Sequence, residues 1–175
     1  SGRIPDRPMT RARLAIIEKH PIQYQAPIYR ALAADPELEV KVFFASDRSG
    51  QAALDQEFGI PVTWDIPLRE GYDSEVLEQR TIPLIGRPGS NYLCAGLRQR
   101  LAEGRFDAIM VPGYTLPYFL QAIALSMELD IPLLLRGDNY DGTGVPRPRW
   151  KEMTRRAALR CLYRHVSGGL AVGSY

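Results

Sequence analysis

The chain has 175 residues, of which 45% are hydrophobic and 24% are charged, and its formal net charge is +2. This composition is typical of a single globular domain and excludes collagen-like and disordered proteins. The two cysteines, Cys94 and Cys161, lie far apart in the sequence, which argues against a disulfide framework and predicts a reducing, cytoplasmic setting. The longest apolar stretch, 116–129, is interrupted by polar residues and is too short to cross a membrane.

The small net charge hides a basic segment at 147–164. This segment carries seven basic residues against Glu152 alone, a local charge of +6 that leaves the rest of the chain at −4. An apolar side is predicted for it, formed by Trp150, Met153, Ala157, Cys161 and Leu162. The segment is either a solvated helix face or a contact with an anionic membrane surface. Nucleic acid is not an expected partner, because aromatic residues are not interleaved with the basic stripe.

The first half of the chain predicts alternating strands and helices. Residues 1–12 are basic and proline-rich, and are expected to be a flexible lead or a remnant of cloning outside the fold. A first strand is predicted at Arg13–Glu18, apolar on both faces as in a central parallel strand. A helix follows from about Pro27 to Ala34, with Ile28, Ala31 and Leu32 as its buried stripe. Further strands are predicted at Glu39–Ala45 and Thr63–Ile66.

The second half continues the same alternation. The predicted elements are a helix at Tyr92–Glu103, a strand at Phe106–Val111, a helix at Leu116–Leu129, a strand at Ile131–Leu135, a helix at Arg149–His165 and a strand at Gly169–Val172. The alternation predicts an α/β fold, a Rossmann-like doubly wound parallel sheet in three α/β/α layers. Ligands of such sheets bind beyond the carboxyl ends of the strands, so the loops after the first, fourth and fifth strands are the predicted site.

Several of these loops carry motifs of one enzyme family. The segment from His20 to Leu32 (HPIQYQAPIYRAL) resembles the opening of bacterial GT-B glycosyltransferases of the retaining, family-four type. The resemblance continues through Phe43–Asp47, Phe58-Gly59, Trp64–Leu68, Gly71-Tyr72, Pro112–Tyr114, Leu135–Asp138 and Leu170–Ser174. It covers nearly the whole chain from about residue 13, although no single piece is a strict signature.

The resemblance implies the N-terminal, acceptor-side domain, 13–175, of a two-domain enzyme that transfers a hexose from a nucleotide-sugar to an acceptor. The donor-binding C-terminal domain is absent from this chain, so the chain alone is expected to be inactive. Neither a metal nor another cofactor is expected. Two alternatives stay open: a stand-alone Rossmann-like module that binds a carbohydrate or nucleotide, and half of a GT-B-like sugar epimerase. No glycine-rich phosphate motif follows the first strand, which argues against a nicotinamide or flavin enzyme.

Candidate site residues follow three of the strands. After the first strand, His20 is a candidate catalytic residue, and Gln23 and Tyr24 offer an amide and a phenol to sugar hydroxyls. After the fourth, Gly113 permits close backbone approach and Tyr114 offers a stacking face. Each of these residues has a structural alternative, such as shaping a loop, starting a helix or packing.

The candidates with the most specific chemical roles come after the fifth strand. Arg136 can grip an anionic acceptor or a diphosphate, and Asp138 can orient or deprotonate an acceptor hydroxyl as a catalytic residue. Asn139 extends the same polar loop and is a candidate substrate-binding residue. The alternative is an Arg136–Asp138 ion pair that only fixes the loop.

Overall fold

The structure is a computed structural model that describes residues 11–47, 53–54, 61–62, 67–82, 91–137 and 148–171. The strands are β1 (Ala12–Glu18), β2 (Leu38–Phe44), β3 (Ala53–Leu54), β4 (Pro61–Val62), β5 (Asp73–Val76), β6 (Gln79–Thr81), β7 (Tyr92–Cys94), β8 (Ala108–Val111), β9 (Leu133–Gly137) and β10 (Val166–Ala171). The helices are α1 (Ala26–Ala34), α2 (Leu97–Gly104), α3 (Pro117–Glu128) and α4 (Arg149–His165).

Six strands form one parallel sheet in the order β10-β9-β8-β1-β2-β5. Numbered along the chain, this is the 3-2-1-4-5-6 order of a Rossmann-like sheet, which reverses direction between β1 and β8. The predicted α/β fold with a parallel, doubly wound sheet is confirmed. Two small antiparallel pairs, β3–β4 and β6–β7, lie outside this sheet.

The core lies on both faces of the sheet. On the α1 face, a cluster joins Tyr29 to side chains of β1, β2 and β8: Ile16, Val40, Val42, Phe44 and Met110. On the opposite face, α2 and α3 bury Leu97, Leu101, Tyr118 and Ala122 against side chains such as Ile17, Phe43, Ile109 and Leu133. Burying each large apolar side chain is worth roughly 1.5–3 kcal/mol, so the two clusters supply a large favourable contribution to folding.

Proline starts two of the helices. Pro117 is the first residue of α3, where its missing N–H costs no hydrogen bond, and Leu116 before it is extended with a ψ of 142°. Pro27 occupies the corresponding first turn of α1. None of the described helices is long and apolar enough to cross a membrane.

Several predicted details differ from the structure, and one lies outside the described residues. The predicted helix at 92–103 is instead β7 followed by α2, because β7 pairs with β6 and Gly96 turns the chain with a φ of +74°. In α1 the buried residues are Ala26 and Tyr29, and Leu32 packs against the core as predicted, whereas Ile28 is half exposed and Ala31 is exposed. β9 and β10 are shifted from their predicted positions by about two and three residues. The predicted strand at 63–66 lies outside the described residues, and the third strand of this half of the sheet is β5.

Candidate functional site

The strand order reverses between β1 and β8, and in open α/β sheets a ligand crevice is expected at the carboxyl edge at such a point. β1 and β8 are direct neighbours, with Ile16 beside Met110. The chain after β1 bends at Lys19 and His20 and reaches α1 through Gln23 and Tyr24. The chain after β8 passes through Pro112 and Gly113 to α3. The candidates after the first and fourth strands therefore leave from adjacent strands at the carboxyl edge of the sheet.

These residues differ in exposure. His20 and Gln23 are half-buried, whereas Tyr24 is 66% exposed and its phenol faces solvent. Gly113 is buried, which fits a position where another chain segment passes close by. Tyr114 packs against the main core cluster and also lines a groove between α3 and α4. A packing role for Tyr114 is therefore shown, and its role as a stacking face stays a prediction.

Beneath this edge lies a buried polar network that the sequence reasoning missed. Glu18, the last residue of β1, is 3% exposed, and the Tyr29 hydroxyl donates to its Oε1 at 2.6 Å. Arg136 of β9 donates to the same oxygen through Nη2 at 3.0 Å. The Gln25 amide completes the network when its nitrogen faces Glu18 at 2.8 Å and its oxygen accepts from the Arg136 Nη2 at 2.6 Å.

Sheet register explains why Glu18 and Arg136 meet. Ile16, Met110 and Leu134 form one row across β1, β8 and β9. Since side chains alternate along a strand, Glu18 and Arg136 lie one row further toward the carboxyl edge on the same face. The ion pair thus spans β8, and α1 covers it from above with Gln25 and Tyr29.

Burial dominates the electrostatics of the network. Desolvation raises the pKa of Glu18 above its ordinary value, although the hydrogen bond from Tyr29 and the charge of Arg136 lower it. Desolvation lowers the pKa of the Arg136 guanidinium, but the charge of Glu18 and the contacts with Tyr29 together outweigh it, so this pKa is raised. Burial and the nearby carboxylate also raise the pKa of Tyr29, so its hydroxyl stays a donor. The network is an internal brace with its hydrogen bonds satisfied.

This brace changes the interpretation of Arg136. Its side chain is 13% exposed and is bonded inward to Glu18, which the sequence did not identify as its partner. Asp138, the expected partner or catalytic carboxylate, and Asn139 lie outside the described residues. Anion binding by Arg136 stays a prediction, but the contact that the structure shows is internal.

A sequence signal for the network existed. Glu18 is the only charged residue in the stretch LAIIE, and a charge that ends an apolar central strand needs a buried partner. Within the described residues, no three His, Cys, Asp or Glu side chains cluster as metal ligands. No protein-family model matches the chain, and no curated protein matches it.

Proposed function

We propose that this chain is the acceptor-binding domain of a two-domain, retaining glycosyltransferase of GT-B architecture that uses a nucleotide-sugar donor. The observation that carries the proposal is the strand order, which reverses between β1 and β8. Two motifs that resemble the glycosyltransferase family, 20–24 and 112–114, are the segments that leave these two strands. An open α/β sheet with such a reversal binds its ligand in a crevice at the carboxyl edge.

The proposed roles follow from exposure. His20 and Gln23 are half-buried at the crevice, so they can hydrogen-bond hydroxyls of an acceptor while their backbone stays anchored. Tyr24, with its exposed ring, borders the acceptor. The proposed catalytic carboxylate is Asp138, which orients the acceptor hydroxyl or takes up its proton, and Asn139 beside it binds substrate.

Arg136 acts in this proposal as a positioning residue. Its ion pair with Glu18 anchors the end of β9, and the chain leaves the sheet at Gly137, directly before Asp138. An anchored strand end limits how far the next residue can move, which is what a catalytic group requires.

The test uses the full product of the reading frame that encodes these residues. It is incubated with a panel of nucleotide-sugars, and both donor hydrolysis and sugar transfer to simple glycosides are measured. His20→Ala and Asp138→Asn are expected to lower turnover by at least 100-fold, a typical loss for a positioned acid–base group.

His165→Ala is the matched control for His20→Ala, because the chain has two histidines and His165 ends α4 at the opposite edge of the sheet. It is expected to leave turnover unchanged. Parental turnover in both site variants refutes the site assignment. An epimerised nucleotide-sugar as the product favours the epimerase, and sugar binding without turnover favours a binding module.

A further inference from the structure

Helix α4 touches the domain along one narrow side. Leu162 and, one residue beyond the helix, Val166 pack against the main core cluster. Leu159 is half-buried and lines the groove toward α3. None of the helix side chains that the structure describes is fully buried. Most of the surface of α4 is therefore open.

The open side carries four of the five residues that the sequence predicts as the apolar side of the helix. Trp150 and Met153 are 64% and 71% exposed, and Ala157 and Cys161 are exposed beyond them, with Cys161 also bordering the groove toward α3. Steps of three and four residues put these four side chains on one stripe, named here the outer stripe. The sequence predicted them, together with Leu162, as the apolar side of the helix. The structure turns only Leu162 inward, because β10 starts directly at Val166 and fixes the rotation of α4.

Three exposed arginines accompany the outer stripe. Glu152 pairs with Arg156 at 2.9 Å and lies 3.7 Å from Arg155, so it offsets part of the basic charge. Arg149, Arg160 and Arg164 are exposed and make no ion pair with any residue that the structure describes. At 100° per residue, Arg160 and Arg164 lie beside the stripe. The surface thus combines a large aromatic ring, a thioether and unneutralised positive charge.

The stripe begins at the edge of the sheet that holds the candidate site. Because α4 connects the carboxyl end of β9 to the amino end of β10, its first turn lies at the carboxyl edge and its last turn at the amino edge. Trp150 and Met153 therefore lie at the same edge as the loops after β1 and β8.

We propose that the outer stripe docks α4 on the surface of a bilayer that contains anionic lipids. Trp150 and Met153 enter the interfacial layer, where amphipathic aromatic rings are favoured, and Arg160 and Arg164 face the headgroups. Charge complementarity selects this occupant, since a second copy of the chain would bring the same arginines together. The proposal does not rest on the proposed enzymatic function, because it needs no sugar.

The experiment measures co-sedimentation of the 175-residue chain with vesicles of phosphatidylcholine alone or with 30% phosphatidylglycerol. Binding is expected only to the anionic vesicles and is expected to fall at high salt. Each basic residue near such a surface contributes about a fivefold factor, so Arg160→Gln with Arg164→Gln lowers the partition coefficient roughly 30-fold. Trp64→Phe leaves Trp150 as the only tryptophan, and its emission is expected to shift to the blue and be quenched by brominated lipid.

The matched control is Arg11→Gln with Arg80→Gln, two exposed arginines outside α4 whose loss changes the net charge equally. An equal loss of binding in this control, or equal binding to neutral vesicles, overturns the proposal. An unshifted Trp150 emission on bound vesicles does the same. If the chain self-associates without lipid, and Trp150→Ala with Met153→Ala abolishes that self-association, the outer stripe binds a second copy of the chain and the proposal is overturned.

Discussion

Replacing Arg136 by methionine tests the buried brace directly. The substitution keeps an unbranched side chain of similar length but removes the guanidinium, which leaves Glu18 buried without its cation. The side chains of the pair are 13% and 4% exposed, so solvent screens the lost interaction little. Breaking a buried ion pair by removing one partner costs about 3–5 kcal/mol. For a chain of this size that lowers Tm by about 6–20 °C.

The loss depends on pH in a defined direction. Glu18 has a raised pKa in the folded chain, so it holds its proton to higher pH when folded than when unfolded. The protonation of Glu18 therefore adds its full contribution to the free energy of unfolding below pH 4.5, the ordinary pKa of a glutamate. This contribution declines as the pH rises through the raised pKa that Glu18 has in the folded chain. Arg136→Met removes a charge that lowers this pKa. The variant is thus expected to lose more stability at pH 7 than at pH 5.

The assay is denaturant unfolding of the parent and the variant between pH 5 and pH 8. Arg98→Met is the control, because Arg98 forms a 2.7 Å pair with Glu128 on the surface, where both side chains are about half exposed. That loss is expected to stay below about 1 kcal/mol. Adding Glu18→Gln to Arg136→Met should remove the extra pH dependence. A variant as stable as the parent at pH 7 would show that the pair is not desolvated, and the reasoning would fail.

Two further predictions concern packing and thiol reactivity. A Cβ on Gly104 would lie 2.1 Å from the ring of Phe106, so Gly104→Ala should cost about 1–3 kcal/mol in thermal or denaturant unfolding. Gly169→Ala, with no atom within 4 Å of its Cβ, should be close to neutral, and equal losses would contradict the packing argument. Burial raises the pKa of the Cys94 thiol to about 12, whereas Cys161 is exposed. A thiol reagent should therefore modify one cysteine in the native chain and two in denaturant, and Cys161→Ser should abolish the native reaction.

Much of the sheet could be predicted from the sequence. The apolar runs of β1, β8 and β9, and the mostly apolar VKVFF of β2, are typical of buried strands, so the existence and parallel arrangement of these four strands follow from local pattern. The sequence does not predict β5, because its residues, DSEV, are mostly polar and none of them is fully buried. An edge strand with few buried side chains leaves little periodic signal. The sequence predicts a helix across the short β7, because Leu93, Leu97 and Leu101 recur at helical spacing on both sides of the turn at Gly96.

The common edge of the strands that precede the candidate residues could be predicted, but the contacts of these residues could not. Because parallel strands end at one edge, the sequence alone brought the loops after β1, β8 and β9 together. It could not assign Arg136 a partner, since Glu18 is 118 residues away and becomes its neighbour only when β8 inserts between β1 and β9.

The rotation of the helices about their axes likewise depends on tertiary contacts. The amphipathic pattern shows that α1 and α4 each have an apolar and a polar side. Which residues face the sheet depends on the packing of Tyr29 in α1 and of Val166 directly after α4. Local sequence thus determined most of the elements and the edge of the sheet at which the candidate residues lie. Strand order and helix rotation, which depend on contacts between distant residues, decided that Arg136 braces the sheet and that Trp150 faces outward.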